Sequence, residues 1–137
     1  MDWSLELVVV PVADVDRAKA FYLEQAGFNL DVDTTVGDQF RVVQLTPPGS
    51  ACSIAIGSGL GQAAPGSAQG LHLIVADIEA ARAELAGRGT EVSEIFHFEE
   101  GRRTSGPDPE RAKYASFLSF KDPDGNAWLV QEVNRAA

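Results

Sequence analysis

The sequence predicts an α+β fold made of two tandem βαβββ modules, and two observations carry the prediction. The segment PVADVDRAKAFY (Pro11 to Tyr22) is echoed by IVADIEAARAEL (Ile74 to Leu85), so that Val12-Ala13-Asp14 returns as Val75-Ala76-Asp77 and marks a duplicated unit. Strand-like runs follow each copy: FNLDVDTTV, FRVVQLT and ACSIAIG in the first half, EVSEIFHF, YASFLSF and AWLVQEV in the second. The 137 residues therefore read as one domain with modules at 5–56 and 71–133 and a linker at 57–70. Half a chain of this size could hardly bury enough apolar surface alone, so the modules are expected to share one core.

Each element has a local reason. In the first module a β-branched run ends at Asp14, whose carboxylate suits a helix N-cap, and Val15, Ala18 and Tyr22 follow at helical spacing. Gly27 supplies the stop, since glycine accepts the left-handed conformation that ends a helix. The second helix repeats the plan with Asp77 as cap, Ile78, Ala81 and Leu85 as its apolar face, and Gly87 and Gly89 as its stop. Between the modules, GSGLGQAAPGSAQG (Gly57 to Gly70) has no period and reads as a flexible connector. The polar stretch EEGRRTSGPDPERAKY (Glu99 to Tyr114) reads as a long surface loop, a candidate lid. The turn DPDGN needs only a structural explanation: Pro123 fixes φ, Asp124 and Asn126 hydrogen-bond locally, and Gly125 takes positive φ. Alternation along the last strand sets Leu129 and Gln131 on one face and Trp128, Val130 and Glu132 on the other. Trp128 is thus expected to pack against a helix, and Glu132 to be a surface carboxylate at the strand end.

Composition narrows the function. Twenty acidic against eleven basic residues give a net charge of −9, which repels nucleic-acid phosphates and anionic lipid, so neither is an expected partner. No basic leader with a cleavable apolar segment and no bilayer-length apolar run is present, and the cytoplasm is the expected location. The single Cys52 excludes an internal disulfide and reads as a buried thiol. SxxK, GxSxG and Cys-x-x-Cys are absent, and GSGLGQ lacks the Lys-Ser/Thr ending of a phosphate loop.

Paired βαβββ units, a first strand running into PVADVDRAKAFY and a last hairpin DPDGNAWLVQEV resemble the vicinal oxygen chelate superfamily: glyoxalase I, extradiol dioxygenases, fosfomycin-resistance transferases and bleomycin-resistance proteins. The resemblance implies a cupped mixed sheet enclosing a cavity, usually within a homodimer, and in the enzymes a divalent metal held by His, Glu or Gln. Carried onto this chain, the first ligand position, seven residues before the capping Asp, falls on Leu7, and its counterparts fall on Gly70 and Leu129. The remaining position falls in ACSIAIG, where only Cys52 and Ser53 offer donors. No metal and no other cofactor is therefore expected. Side chains two residues past the lost positions, Val9, His72 and Gln131, are expected to face the cavity.

The expected site uses His72 and His97 as proton-transfer groups and Tyr114 as a hydroxyl at the rim. Gln131 orients a ligand. Arg41 and Gln44 lie on opposite faces of their strand by parity, so at most one lines the cavity, and Phe96 and Phe117 are candidate walls. Two functions follow for a small organic ligand. One is an atypical, metal-independent glyoxalase-like lyase or isomerase with His72 as base. The other is metal-free sequestration of an antibiotic, as in bleomycin-resistance proteins.

Overall fold

A computed structural model describes residues 1–133. The described residues divide into two compact units, 1–68 with 122–126, and 69–121 with 127–133.

The first unit runs β1 (Leu7–Val9), α1 (Val15–Ala20), a π-helical turn (Phe21–Gln25), β2 (Asn29–Val36), β3 (Phe40–Thr46) and β4 (Ser53–Ser58). Asp14 caps α1 as expected, its side chain accepting from the Arg17 N–H. The apolar face the spacing predicts is real, with Ala18 and Tyr22 fully buried. The sheet order is β1-β4-β3-β2 with β1 parallel to β4 and the other pairs antiparallel. Val43, Leu45, Ile54 and Ile56 form the buried face under α1.

The second unit runs β5 (Leu71–Val75), α2 (Ile78–Gly87), β6 (Phe96–Glu99), β7 (Arg102–Ser105), β8 (Phe117–Lys121) and β9 (Ala127–Glu132). Its order, β5-β9-β8-β6-β7 with β5 parallel to β9, repeats the first sheet and appends one strand. The two mixed sheets with one helix each are the two-module fold that the echo predicts. Asp77 caps α2 through the N–H groups of Glu79 and Ala80. Trp128 lies on the helix-bearing face, stacked on Phe120 with ring centroids 5.9 Å apart.

Three expectations are corrected. The stretch Glu99–Tyr114 is not loop throughout: its first part is the hairpin β6–β7, closed by Glu100 (φ 51°) and Gly101 (φ 78°). Positive φ at both central residues is the two-residue turn that matches strand twist; Gly101 suits it, and the glutamate, which does not favour positive φ, hides it in the sequence. The connector is tied down rather than flexible, because the Gly66 N–H donates to the Pro11 carbonyl and the Ala68 N–H to Asn126 Oδ1. Gly66 has φ +80°, and a Cβ there would lie 2.0 Å from the Asp124 carbonyl oxygen, so no side chain fits. Cys52 is half-buried and precedes β4 instead of lying inside it.

The turn Asp122–Asn126 is the first unit's keystone. Asp122 accepts from the Tyr22 hydroxyl (2.8 Å), the Asn126 side-chain amide (2.7 Å) and the N–H groups of Asp124 and Asn126. Asn126, fully buried, donates also to the Pro11 carbonyl at 2.8 Å. Buried polar groups satisfied this densely hold a loop in one conformation.

Candidate functional site

The face of the second sheet opposite α2 gathers most of the expected site. Register places His72 beside Leu129, Ile74 beside Gln131, Gln131 beside Phe117 and Phe117 beside Phe96. These side chains therefore point the same way. His72 is exposed, as is Ile74 at 54%. Farther along, Phe98 and Arg103 face each other across β6–β7. The Phe96 and Phe117 rings stack at 5.6 Å, and Phe98 meets both edge-on at 5.9 and 5.6 Å. Phe98 remains 53% exposed, so the cluster offers ring surface to solvent.

His97 lies on the opposite face, and this corrects the expectation that the two histidines share one site. The cause is strand parity: Phe96 points to the open side, so its neighbour points away. His97 is buried, with Nδ1 2.7 Å from the Gly106 carbonyl and Nε2 2.9 Å from Glu99 Oε1. The Glu99 carboxylate first, then that carbonyl, raise its pKa above the ordinary 6.5. Its geometry is that of a hairpin pin, holding the end of β7 to β6.

Tyr114 takes φ 65° and is 49% exposed. Its backbone, more than its hydroxyl, is engaged: the carbonyl accepts from Gln131 Nε2 at 2.9 Å and the N–H donates to the Glu132 carbonyl at 2.8 Å. With one amide hydrogen so used, Gln131 is oriented before any ligand arrives.

Glu132 is the sharpest departure from the sequence reading. It points away from the open face as parity requires, yet it is 0% exposed, not a surface group. Arg111 grips it with Nε on Oε1 at 2.9 Å and NH2 on Oε2 at 2.5 Å, and the Ile78 N–H donates to Oε2 at 2.9 Å. These bonds, the Arg111 pair first, outweigh burial and hold the carboxyl below its usual range. Arg111 also reaches Glu79 Oε1 at 2.7 Å, fastening the segment after β7 to the start of α2.

In the first unit Arg41 and Gln44 do separate by face. Arg41 lies on the helix side, bonded to Asp33 through Nε (3.0 Å) and NH2 (2.9 Å) and to Asp16 of α1 through NH1 (2.8 Å). An arginine committed to two carboxylates is not free for a ligand, which corrects its candidacy. Gln44 shares the open face with Leu7, Val9 and Ser53. A polar chain crosses that face: Gln44 Nε2 donates to Ser53 Oγ (3.3 Å), Ser53 Oγ lies 2.6 Å from Thr46 Oγ1, and Thr46 donates to Asp31. Val9 also borders a cleft of about 220 Å³ with Val12, Gly57, Leu60 and Gln62.

Neither face carries donors that fit the divalent metal of the superfamily's enzymes. Among the described residues no group of three or more His, Cys, Asp and Glu side chains is placed to hold an ion. His72 has Leu129, Ile74 and Gln131 as same-face neighbours, one imidazole and one amide where a catalytic metal takes three protein ligands. The ligand positions on Leu7 and Leu129 are occupied by alkyl groups on those same faces. Among the described residues, too, no helix is long and apolar enough to cross a membrane.

The chain belongs to the Glyoxalase/Bleomycin resistance protein/Dioxygenase superfamily, whose family model matches residues 4–130. It is similar to TnmS3, an antibiotic binding protein from Streptomyces sp. CB03234, at 31% identity and TM-score 0.75, covering 96% of this chain and 97% of that one. A glyoxalase/bleomycin resistance protein from the same organism is 33% identical at TM-score 0.71, covering 93% and 99%. The uncharacterized protein YetH of Bacillus subtilis (strain 168) is 28% identical over 129 residues, 91% of this chain and 94% of its own.

Proposed function

We propose that the protein binds a small organic molecule without a metal, on the open face of the second-module sheet. The observation that carries this reading is the composition of that face: three mutually packed phenyl rings, an isoleucine, and only His72 and Gln131 as polar groups along β5 and β9. Such a surface recognises shape and apolar area, with few polar groups to fix orientation. Likeness to an antibiotic binding protein supports the same reading. The cytoplasmic setting expected from the sequence belongs to this proposal.

A second reading, the metal-independent lyase or isomerase, has one observation in its favour. His72 is an exposed imidazole diagonal to Gln131 across the β5–β9 pair, a proton-transfer group beside an oriented amide. His72→Asn separates the two, since it keeps a similar volume and hydrogen-bonding ability but does not titrate. Binding predicts that affinity for a ligand found by thermal-shift screening changes less than about threefold, with no turnover to lose. Turnover in the parent protein that falls by about 100-fold in His72→Asn with retained affinity would establish the enzyme.

Homodimerisation is part of the proposal. It is supported by the long edge strand β2, whose eight residues are all exposed and whose unpaired backbone groups want a partner. Sedimentation at micromolar concentration should give twice the chain mass, and a monomer there would sink this element.

A further inference from the structure

We infer that the ligand of this face is an aromatic anion, with Arg103 reading its charge; the inference rests on the binding reading above and names its ligand class. The Arg103 guanidinium carbon lies 3.7 Å from the Phe96 ring centroid, a cation–π contact that covers the buried Phe96. Phe98, its cross-strand neighbour, exposes half its surface beside it. An exposed cation thus adjoins an exposed ring, itself packed on two more. A planar molecule laid on Phe98 brings a carboxylate, phenolate or sulfonate at its edge within reach of the guanidinium.

Arg103 differs in its partners from most of the described arginines. Arg17, Arg41, Arg88 and Arg111 are each ion-paired to a carboxylate, and Arg82 donates to the Ser93 carbonyl. Among the described residues Arg103 has only the ring. Arg102, which also has no ion pair among the described residues, lies on the opposite face of β7 by strand parity, so Arg103 is the arginine that adjoins the phenyl cluster. The contact with the Phe96 ring uses none of the guanidinium's N–H donors, and a guanidinium takes an anionic group through paired N–H bonds. The overall negative charge does not forbid this, because potentials from exposed charges beyond about 8 Å are screened at physiological salt.

The test uses two fluorescent probes that differ by one sulfonate group, 1-anilinonaphthalene-8-sulfonate and its uncharged parent N-phenyl-1-naphthylamine, titrated with the 137-residue protein. Both are expected to bind, the sulfonate more tightly. Arg103→Gln should weaken the sulfonate about tenfold and the uncharged dye less than about twofold. Arg103→Lys should recover part of the difference, since charge returns without the planar fork. Phe98→Ala should weaken both dyes. Arg103 and Phe98 are exposed, so unchanged circular dichroism and thermal midpoint will show that each variant folds. Equal response of the two dyes to Arg103→Gln, with both still sensitive to Phe98→Ala, overturns the anion inference and leaves the binding face intact. Absence of binding, or binding indifferent to Phe98→Ala, overturns the face itself and the inference with it.

Discussion

Replacing Arg111 with alanine is expected to destabilise the protein by about 3 kcal/mol at pH 7, because it strands a fully buried carboxylate. Glu132 would keep one donor, the Ile78 N–H, after losing two guanidinium bonds. A carboxylate so placed meets its desolvation cost by taking a proton. The pH dependence should therefore reverse. In the parent protein the Glu132 pKa is depressed, so its contribution is present above the unfolded value near 4.5 and is lost as pH falls through the folded value. In Arg111→Ala the folded pKa rises above the unfolded one, so the deficit should shrink as pH falls toward 4. Urea denaturation at pH 7 and pH 4.5 measures both, and an equal deficit at the two values would refute the account. Alanine carries a Cβ as arginine does, so the cost of φ 51° at this position stays in the variant and offsets nothing.

Asp122→Ala should cost about 3 kcal/mol through a different mechanism, the loss of one acceptor shared by four donors. The buried Tyr22 hydroxyl and one hydrogen of the Asn126 amide lose this acceptor, and removing the acceptor of a buried donor costs about 1–3 kcal/mol. Tyr22→Phe, which removes a single donor and leaves Asp122 with three, should cost only about 1 kcal/mol. Guanidinium titration of both variants gives the comparison. Similar losses for the two would mean that the turn adapts and that the shared carboxylate does not organise it.

The candidate face was partly legible in the sequence because strand parity is a local property. Counting in twos from Leu7, Gly70 and Leu129 placed Val9, His72 and Gln131 on the open faces, and their register agrees. The same rule applied to FHF assigns His97 and Phe96 to opposite sides, which takes His97 off the face that holds His72 and Phe96. Phe98 escaped because a phenylalanine in a strand reads as core, and only its place near the end of β6 leaves it exposed. Arg103 was hidden in a stretch read as loop. Recognising Glu100-Gly101 as a hairpin turn would have restored the alternation that pairs Arg103 with Phe98.

What the sequence determined by itself was the fold and the poverty of metal donors. Both follow from features written locally: the repeated Val-Ala-Asp cap, helical spacing at Ala18 and Tyr22, and alkyl groups where ligands would stand. What only tertiary structure decided was the fate of the charged groups. Glu132 is a buried anchor rather than a surface carboxylate because Arg111, distant in sequence, reaches it across the start of α2. Arg41 is committed to Asp16 and Asp33, whereas Arg103 has a phenyl ring and no carboxylate. An arginine's role depends on which group meets its long side chain in space, and neither spacing nor composition encodes that meeting.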